Sequence, residues 1–160
     1  GVTRTFQIVQ PFPQMSVLEN VMVGAYAKIT HTAHAQRKAR EVLERVGLDH
    51  KAHLLGRELT LLDLKRLEIG KALATDPRLL LLDEVAAGLK PTEVEDLLTL
   101  VRQLNREGVT LLIVEHLMKV IMSLSQRIVV LDFGQKIAEG TPAEIQKNPQ
   151  VLEAYLGVEE

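Results

Sequence analysis

The sequence predicts an α/β fold with a parallel sheet, and three observations predict it. Three short apolar runs bounded by charge, "RLLLLD" (78–83), "VTLLIV" (109–114) and "RIVVLD" (127–132), read as strands buried on both faces of such a sheet. Between them lie "TEVEDLLTLVRQLNREG" and "LMKVIMSLS", whose patterning is helical, so the order alternates strand and helix as in a doubly wound fold. At 160 residues, 46% hydrophobic and 25% charged, the chain has the size of one globular domain or a piece of a larger one.

Before these strands the texture is helical. "SVLE" at 16–19 is a capping box, in which the Ser16 hydroxyl accepts from an early helix amide while Glu19 reaches back, and a helix to about Ala27 follows. "AQRKAREVLERVG" puts Ala39, Val42, Leu43 and Val46 on one face and ends at Gly47, which suits a left-handed cap. A third helix begins near Thr60 and runs to about Thr75. After the three strands, "DFGQKIAEGTPAEI" reads as a hairpin about Gly134, a turn and a closing helix.

Composition removes several function classes. Without cysteine there is no disulfide framework, thiol nucleophile or cysteine-based zinc site. A net charge of -2 and only 3% aromatics argue against a nucleic-acid surface. The longest apolar runs, Leu79 to Leu82 and Leu111 to Val114, fall far short of the ~20 residues that span a bilayer. The N-terminus "GVTRTFQIVQ" carries no export-signal pattern and starts at Gly1 rather than Met.

Ligands of open parallel sheets bind beyond the carboxyl ends of the strands. "LLLLDE" places Asp83 and Glu84 at such an end, where an Asp can hold Mg²⁺ through water and a Glu can orient or deprotonate an attacking water. By themselves the two acids read equally well as the solvated stop of a strand. "LLIVEH" places Glu115 and His116 at the next edge, where a histidine can bond a transferred phosphate or simply cap the surface. Phosphoryl chemistry also needs a phosphate cradle, G-x-x-x-x-G-K-[ST]. The one Gly-Lys pair, Gly70-Lys71, has Lys65 at the first glycine position and Ala72 in place of the hydroxyl. His31/His34 and His50/His53 have i,i+3 spacing but no carboxylate cluster beside them, and no Ser, His and Asp order suggests a triad.

The order of these pieces resembles an ABC-transporter ATPase subunit from its Q-loop to its C-terminus. "RTFQ", "LTLLDLKRLEIGKALATDP", "RLLLLDE", "AAGLKP" and "LLIVEH" are similar to the family's successive motifs. "RLEIGKALATDPRLLLLDE", "AAGL" and "RIVVLDFGQKIAEGTPAEIQKNPQVLEAYLG" resemble the ATP-binding subunits of branched-chain amino acid importers most. The resemblance implies a P-loop NTPase-like parallel sheet with an inserted helical subdomain. Residues 1–160 would be a partial nucleotide-binding domain, with 11–75 the helical subdomain and 76–160 the C-terminal part of the RecA-like core. The family's phosphate-binding loop and first strands precede the Q-loop, so the resemblance implies a fragment that does not bind or hydrolyse ATP alone.

Carried over by position, the resemblance makes Gln7 the Q-loop residue that senses Mg²⁺ and the γ-phosphate, and Asp83 the Walker B acid on the Mg²⁺ shell. Glu84 becomes the general base or water-orienting residue and His116 the switch histidine. Ala87, Gly88, Leu89 and Lys90 occupy the loop that crosses the dimer interface, with Lys90 where relatives have Asp or Asn and Val85 where Pro is common. Leu59 to Asp63 align with the signature L-S-G-G-Q, which grips the partner subunit's nucleotide from a helix N-terminus. Thr60 keeps the hydroxyl, Leu61 and Leu62 replace both glycines, and Asp63 replaces the glutamine. An acid there repels a polyanion unless Asp63 turns back to cap its own helix.

The activity so implied is ATP hydrolysis, with ATP and Mg²⁺, driving import of branched-chain or related amino acids. Its partners would be a second ATPase subunit, transmembrane permease subunits and, indirectly, an extracytoplasmic substrate-binding protein, with no nucleic acid. The site would be the cytoplasmic face of the membrane, held peripherally. A non-hydrolytic or regulatory subunit of a heterodimer, and a non-transport ABC ATPase, are the alternatives.

Overall fold

Leu79–Asp83 (β2) forms the middle of a three-stranded parallel sheet, with Val2–Arg4 (β1) on one side and Thr110–Val114 (β3) on the other. The computed structural model describes residues 1–6 and 9–156. Two compact units divide it, Gly1–Glu115 and His116–Glu160.

In the first unit the register sets which side chains share a face: Leu80 pairs with Leu111 and Leu82 with Ile113, while Leu81 pairs with Leu112 and Asp83 with Val114. Leu80 and Leu82 are buried, whereas Leu112 and Val114 are 53% and 57% exposed. Burial on both faces, expected from the unbroken apolar runs, therefore holds for one face of this sheet only. The covered face meets the helices: the Thr3 and Thr75 hydroxyls share a hydrogen bond of 2.7 Å, and Thr75 lies just beyond the third helix. A strand at Val2–Arg4 was not expected, because three residues with alternating exposure carry too little periodicity to be read.

The helices follow from their caps and apolar spacing. Val17–Ala25 (α1) starts at the Ser16–Glu19 capping box, as the sequence indicated. Thr32–Val46 (α2) begins a turn earlier than its apolar face implied and ends at Gly47, whose φ of 71° is the left-handed conformation that glycine adopts without a Cβ penalty. Leu61–Leu73 (α3) starts at Thr60. Val17, Val21 and Ala25 of α1, Ala39, Val42, Leu43 and Val46 of α2, and Leu67, Ile69 and Leu73 of α3 are buried, and the three helices pack on one another, each large aliphatic contributing roughly 1.5–3 kcal/mol. Pro91–Arg106 (α4) buries Leu97, Leu98, Val101 and Leu104.

The second unit holds Met118–Leu124 (α5), Ile128–Asp132 (β4), Gln135–Gly140 (β5), Pro142–Ile145 (α6) and Pro149–Leu156 (α7). "RIVVLD" is a strand, but it pairs antiparallel with β5 in a hairpin turning at Phe133-Gly134, and among the described residues it joins no parallel sheet. The apolar run was a true strand signal; direction and partner are set by the tight turn, which short-range apolar patterning does not encode. The single closing helix is two, separated before Pro149. Ile128, Ala138, Ile145 and Val151 make this unit's core, with Ile121, Met122 and Val130 packed against it.

Candidate functional site

The chemistry of the first unit gathers at the carboxyl end of β2. Asp83 is the last residue of the strand, its side chain one-third exposed, and Arg4 Nη2 bonds its Oδ2 at 3.1 Å. The Asp83 N–H donates to the Thr5 hydroxyl at 3.3 Å, and the Thr5 N–H donates to the Leu81 carbonyl at 2.9 Å. Thr5 is buried, so β1 runs on as a brace for the acid.

Glu84 has a φ of 44°, the left-handed region that a non-glycine residue enters at a cost of order 1–3 kcal/mol. Its backbone is held on several sides. The N–H donates to the Val114 carbonyl at 2.9 Å, and its own carbonyl accepts from Lys65 Nζ at 3.3 Å and from the Ala87 N–H at 3.2 Å. Two residues on, the Ala86 N–H donates to Glu115 Oε1 at 3.0 Å. The chain then turns at Gly88, φ 80°, in the Ala87–Lys90 loop, and Lys90 becomes the cap residue of α4.

The Thr60 to Asp63 stretch resolves the question its aspartate posed. Asp63 Oδ2 accepts from the Thr60 hydroxyl at 2.7 Å and from Lys51 Nζ at 2.6 Å, while the Asp63 N–H donates to Thr60 Oγ1 at 3.3 Å. The acid therefore caps its own helix and is neutralised from outside it. Burial pushes the Asp63 carboxyl up, but the bonds from Lys51 and Thr60 outweigh this and hold it below its ordinary value of 3.8. Leu61 is 42% exposed, and its Cδ2 lies 3.0 Å from where a Cβ on Gly88 would sit, so the start of α3 abuts the Ala87–Lys90 loop.

The segment ahead of α1 is fixed by residues that sequence reading passed over. Asn20, fully buried, accepts from the Phe12 N–H at 2.8 Å and donates to the carbonyls of Phe12, Met15 and Ser16. Lys71 donates to the Gln10 carbonyl at 3.1 Å and pairs with Glu68 at 2.6 Å. Gln7 lies outside the described residues. His116 opens the second unit as an exposed residue just before α5, so Asp83, Glu84 and the signature stretch share one unit and His116 belongs to the other. His31 and His34 meet edge to face at 5.8 Å, and among the described residues no group of three or more His, Asp or Glu is placed to hold a metal.

Family comparisons decide what this arrangement belongs to. Residues 1–87 match the family model described as ABC transporter, and residues 135–160 match that of the branched-chain amino acid ATP-binding cassette transporter. This chain belongs to the ABC transporter ATP-binding family. Among curated ABC relatives, the high-affinity branched-chain amino acid transport ATP-binding proteins LivG of Salmonella typhimurium (strain LT2) and of Escherichia coli (strain K12) are each 40% identical to it, covering 98% of this chain and 68% of their own. BraF of Pseudomonas aeruginosa, a protein of the same description, is 41% identical over the same shares. Among solved structures, an ATP-binding cassette of an ABC transporter in its ADP conformation superposes with a TM-score of 0.85 at 31% identity, covering 99% of this chain and 69% of that one. A second solved structure, CbiO1 from Clostridium perfringens, described as part of the ABC transporter complex CbiONQ, gives a TM-score of 0.84 at 26% identity, over 95% of this chain and 61% of that one. The ABC fold is thus mixed α/β with a parallel sheet and flanking helices, as the sequence predicted.

Proposed function

We propose that the chain is the part of an ABC importer's ATPase subunit that carries the hydrolytic acids, and that the importer takes up branched-chain or related amino acids. One observation carries this: a family member presents Asp83 and Glu84 together at the carboxyl end of a parallel strand, with Glu84 held in a left-handed conformation. The match of 135–160 to the branched-chain amino acid family and the names of the relatives support the substrate class.

A partly exposed carboxylate at a strand end, here bonded on Oδ2 by Arg4, suits Mg²⁺, which takes one or two protein carboxylates and draws its remaining oxygens from phosphate and water. Asp83 would hold it, and when bound Mg²⁺ neutralises charge on the phosphates. Glu84 accepts a proton from the attacking water and aims it in line with the leaving group. His116 donates to the transferred phosphate. Thr60, with the Leu61 and Leu62 amides and the positive end of α3, faces the nucleotide of a second ATPase subunit, and Ala87 to Lys90 lie along that subunit interface. Residues 11–75 form the helical subdomain that meets the permease, and 76–160 the C-terminal part of the catalytic core. The subunit works peripherally at the inner face of the membrane beside its permease; no helix among the described residues is long and apolar enough to cross it.

The test is ATP turnover and transport by the assembled importer carrying Glu84→Gln. Turnover should fall about 10²-fold or more. A second reading is a regulatory subunit whose dissimilar partner performs the turnover; Leu61, Leu62 and Asp63 in the signature position do not decide between the two, because a signature serves the partner's nucleotide while Glu84 serves this subunit's own. Unaltered turnover in the same experiment selects it.

A further inference from the structure

Lys65 is 5% exposed, an unusual place for an ammonium group. It sits one turn beyond Leu61 on α3 and reaches across to the Glu84 carbonyl. Burial draws its pKa down, and the carboxylate that opposes this most is Glu115, followed by Glu84, Asp83 and Glu68. Glu115 bonds the same turn from the other side, through the Ala86 N–H. Its second oxygen, Oε2, is buried without a hydrogen bond, so the side chain accepts a desolvation cost that a solvated glutamate at a strand end would avoid. Val85 and Ala86 between the two grips are themselves buried.

We propose that Lys65 and Glu115 are positioning residues for Glu84: an oppositely charged pair that clamps the turn Glu84–Ala86 and sets the direction in which the Glu84 carboxylate leaves the sheet. The proposal rests on the reading of Glu84 as the residue acting on water. Backbone in the left-handed region relaxes unless its surroundings over-determine it, and here a cation fixes a carbonyl while an anion fixes an amide two residues later. The clamp also ties two functions together. α3 presents the signature to the partner's nucleotide, and through Lys65 any displacement of that helix pulls on the turn that serves this subunit's own nucleotide.

Lys65→Met, Lys65→Arg and Glu115→Leu in the assembled importer test this, with Glu84→Gln alongside. Lys65→Met and Glu115→Leu should each lower kcat by about tenfold to a hundredfold, the scale of a small misplacement of a reacting group. KM for ATP should stay within about twofold, because ground-state binding is not touched. Lys65→Arg, which keeps charge and donor, should recover most of the lost rate. Hydrogen exchange of the peptide spanning 83–89 should quicken in Lys65→Met and Glu115→Leu and not in Lys65→Arg. Unchanged kcat with unchanged exchange overturns the clamp, as does Lys65→Arg behaving like Lys65→Met. Should Glu84→Gln leave turnover intact, the reading of Glu84 fails, and the exchange result alone then upholds or overturns the clamp.

Discussion

At the residue scale, Asp63 shows how a charge that looks hostile in a sequence is absorbed by its neighbours. The residue is 7% exposed and its carboxylate is held by Thr60 and Lys51, with its pKa held below 3.8. A carboxyl whose pKa is lowered on folding adds stability above its unfolded value, and that stability is lost as pH falls through the lower folded value. Asp63→Asn should therefore cost about 1.5–3 kcal/mol near neutral pH, the range for hydrogen bonds to a charged group. The difference from the parent chain should shrink below about pH 4. Urea unfolding at several pH values measures this, and a difference constant across the range would contradict it. Thr60, Asp63, Asp83, Glu84 and His116 could all be picked out from the sequence because each stands at a recognisable edge or cap. Arg4, Thr5 and Lys65 could not, and Glu115 was placed at a strand edge without its role, since these roles depend on partners 79, 78, 19 and 29 residues away.

At the element scale, the close approach of α1 and α3 depends on a glycine that no motif marks. A Cβ on Gly24 would lie 2.2 Å from the Lys71 carbonyl oxygen and 3.2 Å from Ala74 Cβ. Gly24→Ala should destabilise the chain by about 1–3 kcal/mol through overpacking, despite alanine's better helix propensity. Gly70→Ala, whose Cβ would meet Val46, Val21 and Val42 at 3.5–3.6 Å, makes ordinary contacts and should be neutral or stabilising. The pair of denaturation midpoints tests the packing, and equal midpoints for the two variants would refute it. Helices were legible because caps and apolar periods are local: the Ser16–Glu19 box, Gly47 and the Thr60 start all stand where they were expected. Strand direction was not, because pairing in "RIVVLD" is decided by the turn at Phe133-Gly134 rather than by the apolar run itself.

At the scale of the whole molecule, the proposed nucleotide site is incomplete in this stretch of chain. The 160 residues contain no G-x-x-x-x-G-K-[ST] cradle, so the backbone amides and lysine that give phosphate most of its grip are not among them. Titration calorimetry of the 160-residue chain with ATP and Mg²⁺ should accordingly show no saturable heat; a micromolar dissociation constant would overturn that expectation. Relatives of which this chain spans 68% are described as ATP-binding transport proteins, and the proposed activity belongs to that larger context.

The α/β class, the three main helices before the Asp83 strand, the apolar strands from Leu79 onward, the ABC family and the acids at the strand end were all legible in the sequence. All of these are written in local periodicity, caps and contiguous motifs. Tertiary structure alone decided which sheet face is covered, the antiparallel pairing of β4, the neutralisation of Asp63 by Lys51, and the grip of Lys65 and Glu115 on the Glu84 turn. Each of these joins groups far apart in the chain, and a buried charge or a strained backbone acquires its meaning only from the partner that folding brings to it.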